Sequence, residues 1–127
     1  MDILIVDDDE ALLRALERAT RLFGHSVRTA SSGDRACDVA AERCPELAIV
    51  DLIMPGIDGI ETIAQLHRLC RGCRFVILTG APSKAAGQTD ITVVQKPIGL
   101  AALGELIRAL ERPAPPPTAQ NAQSSSP

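Results

Sequence analysis

Leu47-Ala48-Ile49-Val50-Asp51-Leu52-Ile53-Met54-Pro55-Gly56-Ile57-Asp58-Gly59 carries four aliphatic residues into a single acid and then into a turn. A short aliphatic run ahead of turn residues reads as a strand buried on both faces. Met54-Pro55-Gly56 supplies the turn, and Ile60, Ile63 and Leu66 then recur at helical spacing. The same alternation continues on either side. Residues 3–6 are an aliphatic run ending in acids, and residues 10–23 carry Leu12, Leu13, Leu16, Ala19 and Phe23 as a helical stripe that Gly24 stops. Residues 25–30 read as a weaker strand, and Ser31 and Ser32 cap a second helix that runs to Cys44 and closes at Pro45. Residues 75–78 and 91–95 are the fourth and fifth strands, and Leu100, Leu103, Ile107 and Leu110 mark a last helix. Strands alternating with helices imply right-handed βαβ units and a doubly wound parallel sheet, an α/β fold.

Composition fits that class. A chain of 127 residues is sized for one core. With 46% hydrophobic but only 2% aromatic residues, Val, Ile, Leu and Ala must fill it. A formal charge of −3 argues against general affinity for nucleic acid. The start, Met1-Asp2-Ile3-Leu4, has no basic region before a long apolar stretch. No run approaches the roughly 18 apolar residues of a membrane span, so the expected location is cytoplasmic. Residues 113–127 hold five of the nine prolines, no charge and no large apolar side chain. They are read as a flexible Pro/Ser-rich tail or linker after a domain over 1–112. Cys70 and Cys73 form a lone C-x-x-C, and Cys37 and Cys44 make no second close pair, so four reduced thiols are expected.

In parallel α/β sheets ligands bind beyond the carboxyl ends of the strands. Collected there are Asp7, Asp8 and Asp9 from strand one, Asp51 from strand three, Thr79 from strand four and Lys96 from strand five. Singly, each is an ordinary capping acid or surface lysine. Together, crowded carboxylates repel unless a proton or cation bridges them, and Mg²⁺ accepts one or two carboxylates while keeping places for phosphate. Lys96 then supplies a point charge, Thr79 a hydroxyl donor, and Gly80 an unobstructed backbone amide. Asp51 is the natural nucleophile, because a carboxylate takes a phosphoryl group as an acyl phosphate.

These residues resemble the receiver domain of response regulators, of the CheY-like superfamily, over about residues 2 to 112. The motifs that carry the resemblance are residues 3–9, residues 50–59, Leu78-Thr79-Gly80 and Lys96-Pro97. The resemblance implies a flavodoxin-like five-stranded sheet of order 2-1-3-4-5. It implies Asp7, Asp8, Asp51 and the Ile53 backbone carbonyl as ligands of Mg²⁺ or Mn²⁺, and Asp51 as the phosphorylation site. Thr79, Gly80 and Lys96 would contact the phosphoryl group, and the bond before Pro97 is a candidate cis peptide. The partners implied are a sensor histidine kinase or histidine phosphotransfer protein and a downstream protein target. A phosphorylation-dependent dimer is a further option, and the domain is not itself expected to be an enzyme.

Three departures from the family pattern bear on output. The switch aromatic of strand five is replaced by Val93, read as a buried core residue. The stretch from Thr79 to Lys96 is short, so the fourth helix is expected to be at most two turns, or missing. Ile53 and Ala81 lie two residues beyond Asp51 and Thr79, and neither side chain can orient an attacking water. His25 and His67 are isolated and read as packing or surface residues, Asp58 as the cap of the third helix, and Arg68, Arg71 and Arg74 as a solvated edge. The rival reading is a haloacid-dehalogenase-like phosphatase using Asp7 and Asp9. Glu10 after that pair, and the lack of an acidic pair after Lys96, count against it. A non-catalytic flavodoxin-like interaction module is the other alternative. The Met1 start argues against the C-terminal receiver of a hybrid kinase and leaves open a stand-alone regulator or the receiver of a longer one.

Overall fold

In a computed structural model of the chain, which describes residues 1–85 and 91–111, five parallel strands lie in the order β2-β1-β3-β4-β5. The strands are β1 (Asp2–Val6), β2 (Ser26–Ala30), β3 (Leu47–Asp51), β4 (Arg74–Thr79) and β5 (Thr92–Gln95). The helices are α1 (Glu10–Leu22), α2 (Gly33–Glu42), α3 (Gly59–Leu69) and α4 (Leu100–Glu111). Between β4 and β5 the described residues hold one 3₁₀ turn, Pro82–Ala85, in place of a full helix. The tail expected over 113–127 lies outside the described residues, as do Ala86 and Gly87 of the short fourth crossover.

Successive side chains of a strand point to opposite faces, and β1 shows how that builds two cores. Ile3 and Ile5 join Leu16, Leu103 and Ile107 on the α1/α4 face. Leu4 and Val6 join Ala36, Ile63 and Leu66 on the α2/α3 face. Every residue of β3 is buried, as its unbroken aliphatic run requires. The local stop and start signals act as expected. Gly24 follows α1 at φ 94°, a conformation that a residue with Cβ resists. Asp9, Ser32 and Asp58 cap α1, α2 and α3, accepting from the backbone N–H of Leu12, Arg35 and Glu61.

β5 departs from the expectation of a buried strand. Val93 is only partly buried, packed against the α2/α3 core from β5 at the edge of the sheet. A groove of about 620 Å³ opens beside the start of β4 and β5, lined by Ile60, Ile63, His67, Phe75, Ile91 and Leu110 among others. The expectation of four free thiols is also corrected. Cys44 and Cys70 are disulfide-bonded with Cα atoms 5.6 Å apart, while Cys37 and Cys73 are free. Sequence spacing hides this pair, because β3 and α3 together bring the end of α3 back to the loop that follows α2. Burial pushes the Cys73 thiol up to about 12, so it stays protonated at neutral pH and is a poor nucleophile. N-ethylmaleimide at pH 7.5 is therefore expected to label Cys73 at least about tenfold more slowly than in urea. Equal rates would contradict that burial.

Two other expectations meet simple partners. His25 lies against the N-terminus, with Nδ1 2.9 Å from the Met1 amine, and His67 packs edge-on to Phe75 at 6.3 Å between ring centres. The arginine edge is less idle than its sequence implied, since Arg74 donates to the Leu110 carbonyl at the end of α4.

Candidate functional site

Three strands end at one rim because the sheet is parallel, so β1, β3 and β4 deliver Asp7, Asp51 and Thr79 side by side. Asp7 is 2% exposed and Asp51 7%, while Asp8 is exposed and opens the cluster to solvent. One carboxylate oxygen from each of Asp7, Asp8 and Asp51 lies within 4.8 Å of the others. Lys96, just after β5, reaches in from the far edge. Its Nζ donates to Asp7 Oδ2 at 2.7 Å and stands 3.5 Å from Asp51 Oδ1. The Lys96–Pro97 peptide bond is cis, and the Lys96 backbone N–H donates to the Thr79 carbonyl at 2.8 Å.

Electrostatics follow from that packing. Burial, and then the neighbouring Asp7 carboxylate, push the Asp51 carboxyl above its ordinary value, partly offset by Lys96 and a backbone hydrogen bond from Ile53. Burial alone would lower the Lys96 ammonium, but the Asp7 hydrogen bond and both carboxylate charges outweigh it and hold Lys96 above its usual value. Lys96 is therefore cationic throughout the neutral range. The stabilisation it gains is present below its unfolded pKa and is lost only as alkaline pH passes its folded one.

The donor set fits a hard divalent cation. It offers carboxylate oxygen only, with one acid exposed and two buried, which is the arrangement Mg²⁺ accepts while retaining waters. Asp7 is already engaged at both oxygens, Oδ1 by the Asp9 backbone N–H at 2.9 Å and Oδ2 by Lys96. Each carboxylate oxygen carries more than one lone pair, so these bonds orient Asp7 and leave it acceptor capacity. Asp9 turns away to cap α1, and Asp58 caps α3. Ile53 is exposed just beyond β3, and Gly80 is exposed just beyond Thr79. The Thr79 Oγ1 accepts from the Ala81 backbone N–H at 3.0 Å, which leaves its own O–H free to donate.

Two positioning features escaped the sequence reading. Gly59 begins α3 directly behind the acid, where a Cβ would meet the Asp51 carbonyl oxygen at 2.3 Å and Leu52 Cα at 2.7 Å. The Gly59 N–H also donates to the Leu52 carbonyl at 2.8 Å. A glycine after a turn acid is an ordinary helix start, so no local signal distinguished this close approach. The second is the Thr79–Ala81 bond, visible only once the chain turns after β4.

The family model of the response regulator receiver domain matches residues 3–108. Response regulator MprA of Mycobacterium sp. (strain KMS) is 34% identical over 117 residues, covering 87% of this chain and 50% of that protein. The chain thus spans about half the length of the curated relatives it matches. The receiver domain of the hybrid histidine kinase CckA superposes with a TM-score of 0.79 at 28% identity, over 88% of this chain and 100% of that one. TrrA of Thermotoga maritima, solved in complex with Mg(2+)-BeF, gives a TM-score of 0.76 at 25% identity, over 86% and 97%. No helix among the described residues is long and apolar enough to cross a membrane.

Proposed function

The chain belongs to the response regulator receiver family, and on that premise we propose that Asp51 is its phosphoacceptor, taking a phosphoryl group from a histidine kinase or histidine phosphotransfer protein. The observation that carries this reading is the meeting of Asp7, Asp8 and Asp51 within 4.8 Å beside a charged Lys96. Mg²⁺, or Mn²⁺, held by the three acids and the Ile53 carbonyl would supply positive charge to the phosphoryl oxygens. The Asp51 carboxylate attacks phosphorus, and the leaving group departs in line. Lys96 offsets charge on the transferred oxygens, and the Thr79 hydroxyl and Gly80 amide donate to them. We assign residues 1–112 to the receiver and 113–127 to a Pro/Ser-rich tail or linker. The module signals through protein contacts in the cytoplasm, with no turnover of its own.

Output is proposed to leave through the backbone after β4. Val93 has no ring to swing, whereas Thr79 Oγ1 is already bonded to the Ala81 amide. Movement of Thr79 toward a phosphoryl group would pull on that turn, which runs into the 3₁₀ segment packed beside β5. Downstream partners, or a second phosphorylated copy, would read the change there.

Acetyl phosphate and Mg²⁺ test the reading. Intact mass is expected to rise by about 80 Da, one phosphoryl group, and EDTA or Asp51→Ala should each prevent it. An adduct that survives Asp51→Ala but is lost in Asp7→Ala would favour a phosphatase-like use of the first acid pair. The phosphoryl group is also expected to persist for hours, since neither Ile53 nor Ala81 can hold a water for attack. Loss within a minute, with Mg²⁺ present and donor removed, would contradict that.

A further inference from the structure

Cys44 and Cys70 stand apart from the phosphoacceptor site, and the fold joins them across 26 residues. Their Cα separation of 5.6 Å lies in the range a disulfide requires. The two sulfurs differ in access. Cys44 is exposed in the loop after α2, whereas Cys70, the C-terminal cap of α3, is 3% exposed. We propose that Cys44 and Cys70 are a reversible redox site, oxidised by a small-molecule disulfide of the glutathione class, whose closure fastens the segment that carries Asp51.

Access dictates the order of steps. The Cys44 thiolate attacks one sulfur of the small disulfide, expels one thiolate and keeps the other half as a mixed disulfide. The Cys70 thiolate then attacks the Cys44 sulfur, forms the internal bond and expels the second thiolate. The protein gives up two electrons and two protons, and the reagent becomes two thiols. Cys73 shares the C-x-x-C with Cys70, but it is a free thiol whose Sγ donates to the Arg74 carbonyl at 3.3 Å, while Cys44 and Cys70 face each other. Cys37 lies on α2 with its Sγ 3.3 Å from Gln65 Oε1, and burial and then the nearby Asp34 and Asp38 keep its thiol raised as well.

The same exposure makes the bond open to reduction. A disulfide with one accessible sulfur is attacked readily by external thiols, the behaviour of a labile rather than a permanent cross-link. Closed, it encloses β3, Asp51, the following turn and α3 in one loop. It ties the last turn of α3 to the loop ahead of β3, which limits the unfolded chain and the independent opening of α3.

The full chain, reduced and freed of dithiothreitol, is incubated with oxidised glutathione, alkylated and digested without reduction. A Cys44–Cys70 linked peptide is expected, with Cys73 recovered as the alkylated or free thiol. Cys70→Ser should trap glutathione on Cys44, and Cys44→Ser should leave Cys70 unmodified. The oxidised wild type should melt about 10 °C above the reduced protein, and Cys44→Ser should show no such difference. A Cys70–Cys73 linkage, glutathione on Cys70 in the Cys44→Ser protein, or equal melting of the two wild-type forms would each overturn the proposal.

Discussion

Asp51→Asn is expected to abolish phosphoryl uptake and, in metal-free buffer, to raise the melting temperature by about 3–8 °C. The two effects have one cause. Burial and the Asp7 carboxylate both disfavour the Asp51 anion, so its folded pKa lies above the ordinary carboxylate value. An acid raised in this way binds its proton more tightly folded than unfolded. The stability this gives is fully present below the unfolded pKa and is lost as pH rises through the folded one. Removing the charge relieves the penalty at neutral pH, while Lys96 keeps its shorter bond to Asp7. Mg²⁺ should reverse the order of the two melting curves. It would stabilise the wild type by mass action, by about 2.7 kcal/mol at a hundredfold excess over Kd, and would stabilise the Asn variant far less. A variant that melts below wild type in EDTA would show that Asp51 is a stabilising ion-pair partner of Lys96 instead.

Gly59→Ala should destabilise the fold by about 1–3 kcal/mol, lowering the melting temperature by roughly 5–15 °C, and should slow phosphorylation of whatever remains folded. The new methyl group would meet backbone, the Asp51 carbonyl oxygen at 2.3 Å and Leu52 Cα at 2.7 Å, and no rotamer change clears those atoms. Either α3 or the end of β3 must move, and the second carries the phosphoacceptor. Gly72→Ala is the control, because a Cβ there meets nothing within 4 Å. Its stability should change by no more than about 0.5 kcal/mol. Equal melting of the two variants would mean that α3 can withdraw from Asp51 without loss.

What the sequence made legible was local or followed from strand polarity. The run Leu47–Val50 is aliphatic throughout because both faces of β3 are covered, and the acid that ends it falls on the ligand-binding rim of any parallel sheet. Ser32 and Asp58 were readable as caps because capping is decided within four residues. The remaining features depend on what the chain meets after folding. Cys44 finds Cys70 only through the return of β3 and α3, so the nearby Cys73 drew attention to the wrong pair. Val93 is a core-type residue, and it packs against the α2/α3 core while staying partly exposed because β5 is the edge strand of the sheet, a placement that only the folded order reveals. Arg74 looked like solvated charge until α4 placed the Leu110 carbonyl beside it.

Reductive trapping bears most directly on Asp51. The chain, loaded with Mg²⁺ and acetyl phosphate, is treated with borohydride, which reduces an acyl phosphate to the alcohol and marks the acid that carried it. Digestion should then recover the mark only in the peptide containing Asp51. A mark on Asp7, Asp8 or Asp9, with Asp51 unmodified, would contradict the assignment of the phosphoacceptor.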